Sequence, residues 1–369
     1  MLANTHFIHA ICLIALGAAT GCRGRESQAA GDGAGSPDTR PLTEPALFME
    51  LPDICPTPDG LAMDKDGSII LACPNYGDMS KPAVFMRIAT NNELSLYATC
   101  PTLEKTGRAC PMGIDFGPDG SLYVCDNQGW PGTGEGKNEG RILRLRIADG
   151  KVVEQEVVAS GMSHPNGIKC RDGKLYVTQS LLPKIKSEQL VSGLYRFEAS
   201  DRNVKVNNDA SDKNLLLQFK TLNMDCQYGL DGLVFDSKGN LFLGNFGDGT
   251  LHKITFDGKG EVQSNEIFAK SPNMRTTDGI CVDDKDNIYV ADFSENAITI
   301  VSPEGKVRIL AKSPDCDGSK GGLDQPGEPI VRGHELIVSN FDAVTGPGKV
   351  NTKHDKPYTL SVIDLDKVK

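Results

Sequence analysis

Short apolar runs, each preceded by a tight polar turn, recur along most of the 369-residue chain. The turns read KDGS, PDGS, RDGK, SKGN and KDNI, and their Gly and Asn residues tolerate the positive φ that hairpin turns require. The runs have the length and composition of strands, and the sequence lacks strong helical periodicity. The pattern therefore predicts β-hairpins rather than helices.

The hairpins belong to a longer repeat, whose second strands begin at Ile69, Leu122, Leu175, Leu241, Ile288 and Leu336. Nine or ten residues earlier stand the equivalent positions Asp59, Met112, Asn166, Asp231, Asp278 and Gly327. These positions are 53, 54, 65, 47 and 49 residues apart, and periods of this length are typical of radial or linear arrays. Three to four strands in each of six units predict an all-β, six-bladed β-propeller. A right-handed β-solenoid is the alternative, but its coils are shorter than these units.

The segment PALFMEL precedes the first unit and reads as a strand without a hairpin partner. We expect this N-terminal strand to complete the last blade and close the ring. Residues 42–369 are therefore assigned to the propeller.

The first 22 residues are predicted to be a signal peptide with a lipobox. Their apolar run ends at Ala19 and is too short to span a bilayer. The sequence ATGC that follows resembles a bacterial lipobox, in which cleavage leaves Cys22 as a lipidated first residue. Residues 23–41 are rich in Gly, Ser, Ala and charge and predict a flexible linker. We therefore expect export to the bacterial periplasm or cell envelope, with membrane attachment through the lipid on Cys22.

The net charge and the cysteine content bear on nucleic-acid binding, disulfide formation and zinc binding. A net charge of -10 and a pI near 5.2 argue against nucleic-acid binding. In an oxidising compartment some cysteines could pair, with Cys100 and Cys110 as the nearest candidates. The absence of a C-x-x-C pair gives a structural zinc site little support.

The first residues of the repeats suggest a metal site. In a propeller the innermost strands line a central channel, so the six equivalent positions form a ring around the axis. Asp59, Asp231 and Asp278 would place three carboxylates in this ring, and Asn166 a carboxamide. Burying like charges together is costly unless a cation neutralises them. Oxygen ligands favour one divalent cation, Ca²⁺ first, with Mg²⁺, Mn²⁺ or Zn²⁺ as alternatives; each Asp-Gly or Asn-Gly could also be an ordinary turn.

Other polar positions are weaker candidates. A second ring follows four residues into each second strand, and its members are expected mainly to end strands by bonding the backbone: Cys73, Asp126, Gln179, Asn245, Asp292 and Asn340. Glu328 is a possible extra ligand. His164 is expected to be a surface histidine, with proton transfer at the channel mouth as the alternative.

The segments PDGLAMD, HPNGIKC, YGLDGLVFD and TDGICVDDKDNIYVADF resemble a known family, over roughly Glu50 to Leu365. It contains senescence marker protein (regucalcin), gluconolactonases, luciferin-regenerating enzymes and squid-type diisopropylfluorophosphatase. The resemblance implies a central divalent metal held by an acid in the first blade, Asn in the third and fourth, and Asp in the fifth. By blade order, these places fall on Asp59, Asn166, Asp231 and Asp278. Asp59 stands where the family has Glu, and Asp231 where it has Asn.

The resemblance implies a divalent-metal-dependent hydrolase of lactones or related esters, with a small-molecule substrate. Asp278 matches the family's metal-bound general base, and Asp231 is the alternative base. The competing hypothesis is a non-catalytic propeller, similar to NHL-repeat domains, that serves as a binding or scaffold module with a structural cation. Propellers host many unrelated activities, so the fold alone does not separate the two hypotheses.

Overall fold

The computed structural model describes residues 40–129, 137–343 and 348–368. This part of the chain forms six sheets arranged as the blades of a β-propeller, which confirms the predicted fold class. Its helices are two short 3₁₀ turns, Phe246–Asp248 and Leu365–Lys367. None of the helices in the described residues is long and apolar enough to cross a membrane. The predicted signal peptide and lipobox lie outside the described residues, as does the predicted linker except for its last two residues.

The first strand, β1 (Ala46–Glu50), precedes the repeats. Blade 1 contains β2 (Leu61–Met63), β3 (Ile69–Cys73), β4 (Val84–Ile88) and β5 (Leu94–Thr99). Blade 2 contains β6 (Pro111–Phe116), β7 (Leu122–Asp126), β8 (Gly140–Ala148) and β9 (Lys151–Met162). Blade 3 contains β10 (Pro165–Arg171), β11 (Lys174–Gln179) and β12 (Val191–Glu198); after β13 (Val204–Lys205), which pairs parallel with β9, it adds β14 (Leu215–Lys220).

Blade 4 contains β15 (Leu230–Phe235), β16 (Leu241–Asn245), β17 (Thr250–Phe256) and β18 (Val262–Lys270). Blade 5 contains β19 (Ile280–Val282), β20 (Ile288–Asp292), β21 (Ala297–Val301) and β22 (Val307–Lys312). Blade 6 contains β23 (Pro326–Arg332), β24 (Glu335–Asn340), β25 (Thr359–Asp364) and the N-terminal strand β1.

The N-terminal strand closes the ring. β1 pairs antiparallel with β25, in a register that places Ala46 opposite Val362 and Glu50 opposite Thr359. The first and last segments of the propeller therefore share one sheet, so blade 6 cannot form without both ends of the fold.

The core lies between the blades. Ile142 and Val158 of blade 2 pack with Tyr195 of blade 3 in one buried cluster, and Leu71 of blade 1 packs with Ile337 of blade 6 in another. Each second strand is covered on both faces by its neighbours, and β3, β7, β16 and β20 are buried at every position. This explains why these segments are continuously apolar instead of alternating.

Candidate metal centre at the propeller axis

Glycines bring the inner strands close together at the axis. A Cβ atom added to Gly167 would lie 2.7 Å from the carbonyl oxygen of Asp231, and one added to Gly232 would lie 2.6 Å from that of Asp278. Cβ atoms do not approach backbone this closely. The same contact, with the carbonyl of the ring residue in the next blade, occurs at Gly60, Gly113 and Gly279. The Gly of each Asp-Gly or Asn-Gly step is therefore required by the packing of adjacent blades.

The sixth blade breaks this pattern. Glu328 occupies the position of the repeated glycine, and its carboxylate lies directly over Gly279 of blade 5. Its backbone N–H donates to the hydroxyl of Ser339 at 2.9 Å. Glu328 thus adds a further acidic side chain beside the ring, consistent with its prediction as an extra candidate ligand.

The structure brings three of the four predicted ligands into contact. Asn166 donates its side-chain amide to Oδ2 of Asp231 at 2.7 Å, and the carboxyl groups of Asp231 and Asp278 share a hydrogen bond. The fourth, Asp59, lies on the side of blade 6, where its Oδ1 would be 3.0 Å from a Cβ at Gly327. The residues Asp59, Asn166, Asp231 and Asp278 are 6%, 4%, 5% and 9% exposed, so all four are removed from bulk water.

The three axial aspartates do not form a tight cluster. The ligand oxygens of Asp59, Asp231 and Asp278 do not all lie within 4.8 Å of one another, a spacing that the described residues reach in a different cluster. A single ion bound by all four residues would therefore require at least one axial carboxylate to turn toward the others, or to bind through a water molecule.

The axial carboxyl groups titrate far from their usual range. Burial raises the pKa of Asp231 and of Asp278 well above that of an ordinary aspartate, and the charge of Asp59 raises both further. Burial also raises the pKa of Asp59 to about 7. The pKa of Glu328 is raised to about 8 by burial, although Lys169 opposes the shift. Without a cation, the group therefore retains protons at neutral pH.

An aromatic cluster lies at the same end of the channel as the axial ligands. Antiparallel pairing places the end of each second strand beside the start of the inner strand, where the ring residues lie. Phe246, Phe293 and Phe341 directly follow β16, β20 and β24, and all three pack with Met112 of the ring. The Phe293 ring centroid is 5.7 Å from that of Phe246 and 5.7 Å from that of Phe341.

Two polar side chains accompany this aromatic cluster. Nζ of Lys349 lies 5.0 Å from the ring centroid of Phe246 and 5.2 Å from that of Phe293. Tyr228 packs against Phe246, and its pKa is raised by burial and by the nearby Asp231 and Asp278 carboxylates. The acidic ring therefore borders an aromatic wall that carries a hydroxyl and an ammonium group.

Five of the six residues of the second polar ring bond the backbone, as predicted; among the described residues the buried Cys73 is the exception. The side-chain oxygen of Asp126 accepts from the N–H of Cys110 at 2.8 Å, and that of Asp292 accepts from Thr276 at 3.0 Å. In these two blades the donor lies 16 residues earlier, just before the inner strand, and the same spacing recurs between Gln179 and Ser163 and between Asn340 and Asp324. Asn245 instead donates its side-chain amide to the Lys220 carbonyl at 3.0 Å. The bonds with the 16-residue spacing fix the approach of their inner strands to the axis.

Two sequence expectations are wrong. His164 is not a surface histidine: it is 5% exposed, and burial lowers its pKa to about 4. It lies just before β10, with a φ of 58°, so it belongs to the buried start of blade 3. Cys100 and Cys110 do not pair; both are buried free thiols.

The aromatic cluster was missed by the sequence analysis, although a signal for it exists. NFGD, DFSE and NFDA each place a Phe directly after the polar residue that ends the second strand. A side chain at this position points past the strand end, over the channel, where a turn or loop residue would usually be polar. Three equivalent Phe residues therefore indicate an apolar cover at the axis.

Comparison with known proteins places the chain in one family and one fold. A model of the family described as "Domain of unknown function (DUF7133)" matches residues 80–322. No curated protein matches the chain significantly. Luciferin-regenerating enzyme superposes with a TM-score of 0.59 at 14% identity, over 89% of this chain and 97% of that one.

Two further solved structures have the same fold. Regucalcin from Agrobacterium tumefaciens, a calcium-binding protein, superposes with a TM-score of 0.57 at 13% identity, over 88% of this chain and 95% of its own. A gluconolactonase from Xanthomonas campestris gives 0.54 at 14% identity, over 88% and 99%. These likenesses confirm that the chain resembles the six-bladed propellers of the regucalcin and gluconolactonase group.

Proposed function

The chain belongs to the DUF7133 family, a domain family of unknown function. From its axial site, we propose that it is a divalent-metal-dependent hydrolase of lactones or related esters. The observation that carries this proposal is the buried contact among Asn166, Asp231 and Asp278, with Asp59 beside them. The names of two similar structures, a gluconolactonase and a calcium-binding protein, support the reaction class and the cation.

The donor set suits a divalent cation. Asp59, Asn166, Asp231 and Asp278 would hold it through carboxylate and amide oxygens, which are the ligands that Ca²⁺ and Mg²⁺ prefer. Among the described residues, no ion pair with Lys, Arg or His neutralises the three axial aspartates. Several buried acids without a counter-charge are costly unless they keep protons or receive a cation. When bound, such an ion would supply positive charge that stabilises the oxyanion formed from a lactone carbonyl.

The chain's own carboxyl groups would accept the proton of the attacking water. Asp278 is the proposed general base that accepts a proton from the attacking water, with Asp231 as the alternative. Because these two carboxyl groups are hydrogen-bonded to each other, a proton accepted by one can be shared with the other. Asn166 donates to Asp231 and thereby fixes its orientation and favours its ionised form.

The aromatic cluster would form the apolar wall of the substrate site. Phe246, Phe293 and Phe341 could pack against the carbon skeleton of a lactone, while the Tyr228 hydroxyl offers a polar contact. This environment excludes water and so strengthens the electrostatic interactions at the reacting carbonyl.

The second candidate is a binding or scaffold propeller with a structural cation, and the enclosure of the site favours it. The four axial side chains are at most 9% exposed, with the aromatic cluster packed beside them. In this case the cation would bind but no substrate would turn over.

One experiment separates the two candidates. Hydrolysis of simple lactones, esters and phosphotriesters is measured with the purified chain in Ca²⁺ and after chelation. The hydrolase proposal predicts turnover of a lactone or ester that is lost on chelation and restored by the ion. If chelation lowers the thermal stability while none of these substrates is hydrolysed in either condition, the scaffold function is correct.

We also propose that the chain is exported and lipid-anchored, on the basis of the apolar N-terminal run and the lipobox ending at Cys22. Expression of the whole precursor in a bacterium fed labelled fatty acid tests this. The label should enter the membrane-bound protein and be absent from a Cys22→Ser variant. Equal labelling of both proteins would rule out lipidation at this cysteine.

A further inference from the structure

Blade 6 contains a second group of carboxylates, separate from the axial four. Asp324 precedes β23, Asp342 follows β24, and Asp355 lies shortly before β25. One carboxylate oxygen from each residue lies within 4.8 Å of the corresponding oxygens of the other two. The backbone fixes this arrangement, because the Asp342 N–H donates to the Asp324 carbonyl at 3.3 Å and the Asp355 N–H donates to Asp342 Oδ2 at 3.1 Å.

Two oxygens of this cluster are buried without a hydrogen-bond partner. They are Oδ1 of Asp324 and Oδ1 of Asp355. Asp324 as a whole is only 2% exposed, so solvent does not compensate for the missing partner. A buried carboxylate oxygen without a donor is strongly unfavourable. Such an oxygen, facing two other carboxylates, points to a missing positive ligand.

The nearby histidine neutralises only one of the three. Nδ1 of His354 is 3.3 Å from Asp342 Oδ2 and also contacts the Asp342 carbonyl oxygen. Asp342 is further satisfied by the side-chain amide of Asn351, which donates to its Oδ1 at 3.2 Å. Neither contact reaches the unpartnered oxygens of Asp324 and Asp355. A protonated His354 therefore leaves the cluster with unbalanced negative charge.

An open groove leads to the cluster from the surface. Its volume is about 650 Å³, and its lining includes Asp355 together with Asp315 and Asp317. Because Lys312, Lys320 and Lys353 also line it, the groove provides access to Asp355 rather than a strongly attractive field. The cluster thus has both a buried end, at Asp324, and a path to solvent.

We propose that Asp324, Asp342 and Asp355 bind a divalent cation, Ca²⁺, at a structural site distinct from the axial one. Three carboxylates in an irregular loop arrangement match the oxygen-rich, flexible coordination of Ca²⁺, with water completing the shell through the groove. The ion would join the segment before β23, the end of β24 and the approach to β25. It would therefore stabilise the blade in which the N-terminal strand closes the propeller.

The test uses calorimetric titration of Ca²⁺ into the metal-free chain carrying Asp59→Asn, Asp231→Asn and Asp278→Asn (the axial triple variant), which removes all three axial aspartate charges. We expect one bound Ca²⁺ per chain. Adding Asp324→Asn should lower the remaining affinity at least about tenfold, because it removes one charged ligand. Adding Asp317→Asn instead, at the groove rim, should change the affinity by less than about twofold, since an exposed charge is screened. Absence of Ca²⁺ binding to the axial triple variant, or unchanged affinity when Asp324→Asn is added to it, overturns the proposal.

Thermal unfolding distinguishes metal binding by Asp324 from a purely structural role of this residue. In chelator, Asp324→Asn should be at least as stable as the parent chain, because it replaces a carboxyl group that is buried with an unpartnered oxygen. In Ca²⁺ the parent should gain stability and the variant should not. Equal destabilisation by Asp324→Asn in both conditions would show that the carboxylate only supports the fold, and would contradict the proposal. The axial proposal is unaffected by either result, since the axial triple variant lacks the carboxylates of that site.

Discussion

Asn166 donates its side-chain amide to Oδ2 of Asp231 at 2.7 Å, across the boundary between blades 3 and 4. The two residues hold the same place in successive repeats and are 65 residues apart. Next to them, Gly167 and Gly232 lack a Cβ atom, which allows the backbones of adjacent inner strands to come into direct contact. The repeated dipeptide therefore has two functions: its Gly closes the ring, and its Asp or Asn supplies a polar side chain to the axis.

The packing function of the ring glycines can be tested at Gly232. In Gly232→Ala the new Cβ would lie 2.6 Å from the Asp278 carbonyl oxygen, so neighbouring blades must separate. We expect the free energy of unfolding to fall by about 1–3 kcal/mol, as for other overpacked sites. The control is Gly258→Ala, on the β17–β18 turn, where a Cβ has open space. Denaturant unfolding of both variants checks this, and an equally small effect of the two would refute the steric argument.

The role of Asp278 can be tested with Asp278→Asn, which keeps its shape and removes its charge. We expect retained folding, weaker divalent-metal binding and a loss of lactone turnover of at least about a hundredfold, because general base catalysis is lost. Asp284→Asn is the matched control, since Asp284 is exposed in the β19–β20 turn of the same blade. Wild-type turnover by Asp278→Asn would eliminate it as the base and leave Asp231.

The axial acids should give the metal-free protein an unusual pH dependence. The pKa values of Asp59 and Glu328 are raised to about 7 and about 8 in the folded chain, whereas unfolded carboxyl groups titrate near pH 4. Between these values the folded state binds more protons than the unfolded state, so stability falls as pH rises. In chelator, the free energy of unfolding should therefore decrease by on the order of 6 kcal/mol from pH 5 to pH 8.

Calcium should remove this loss, because the ion binds deprotonated carboxylates and replaces their protons. Thermal unfolding in chelator and in Ca²⁺ at both pH values provides the measurement. The stabilisation by Ca²⁺ should be larger at pH 8 than at pH 5. A chelated protein that is more stable at pH 8 than at pH 5 would show that the axial carboxyl groups are ionised without a cation.

A buried ion pair fixes the start of blade 2. Nε of Arg141 lies 2.7 Å from Asp126 Oδ2, with side chains 6% and 0% exposed. Arg141→Met should lower the free energy of unfolding by about 3–5 kcal/mol, because Asp126 would remain buried without its cation. Arg146→Met in the same strand removes an exposed pair with Glu154 and should cost less than about 1 kcal/mol. Similar losses of unfolding free energy in the two variants would show that burial does not determine how much an ion pair contributes to stability.

The sequence predicted the architecture because each blade has recognisable features in its local sequence. Hairpin turns such as KDGS depend only on neighbouring residues. Second strands such as IILAC are continuously apolar because they are buried on both faces. The spacing of these elements revealed six blades, and the orphan segment PALFMEL revealed the closing strand. Five of the six members of the second polar ring were also predicted correctly, since a strand end needs a side chain that bonds the backbone.

The parts that could not be predicted depend on contacts between distant residues. His164 looked exposed because it lies beside a turn, but the packing of blade 3 buries it. The cluster of Asp324, Asp342 and Asp355 combines three segments whose approach follows from how blade 6 folds, not from any local motif. Likewise, repeat position placed Asp59, Asp231 and Asp278 in the ring but could not show that their carboxylate oxygens do not all lie within 4.8 Å of one another.

The most direct test of the account is calorimetric titration of Ca²⁺ into the metal-free chain carrying Asp324→Asn and Asp355→Asn, in which only the axial site is intact. We predict one bound Ca²⁺ per chain, and binding weakened at least about tenfold when Asp278→Asn is added. A chain with an intact axial ring that binds no divalent cation would contradict the central claim that these side chains form a metal centre.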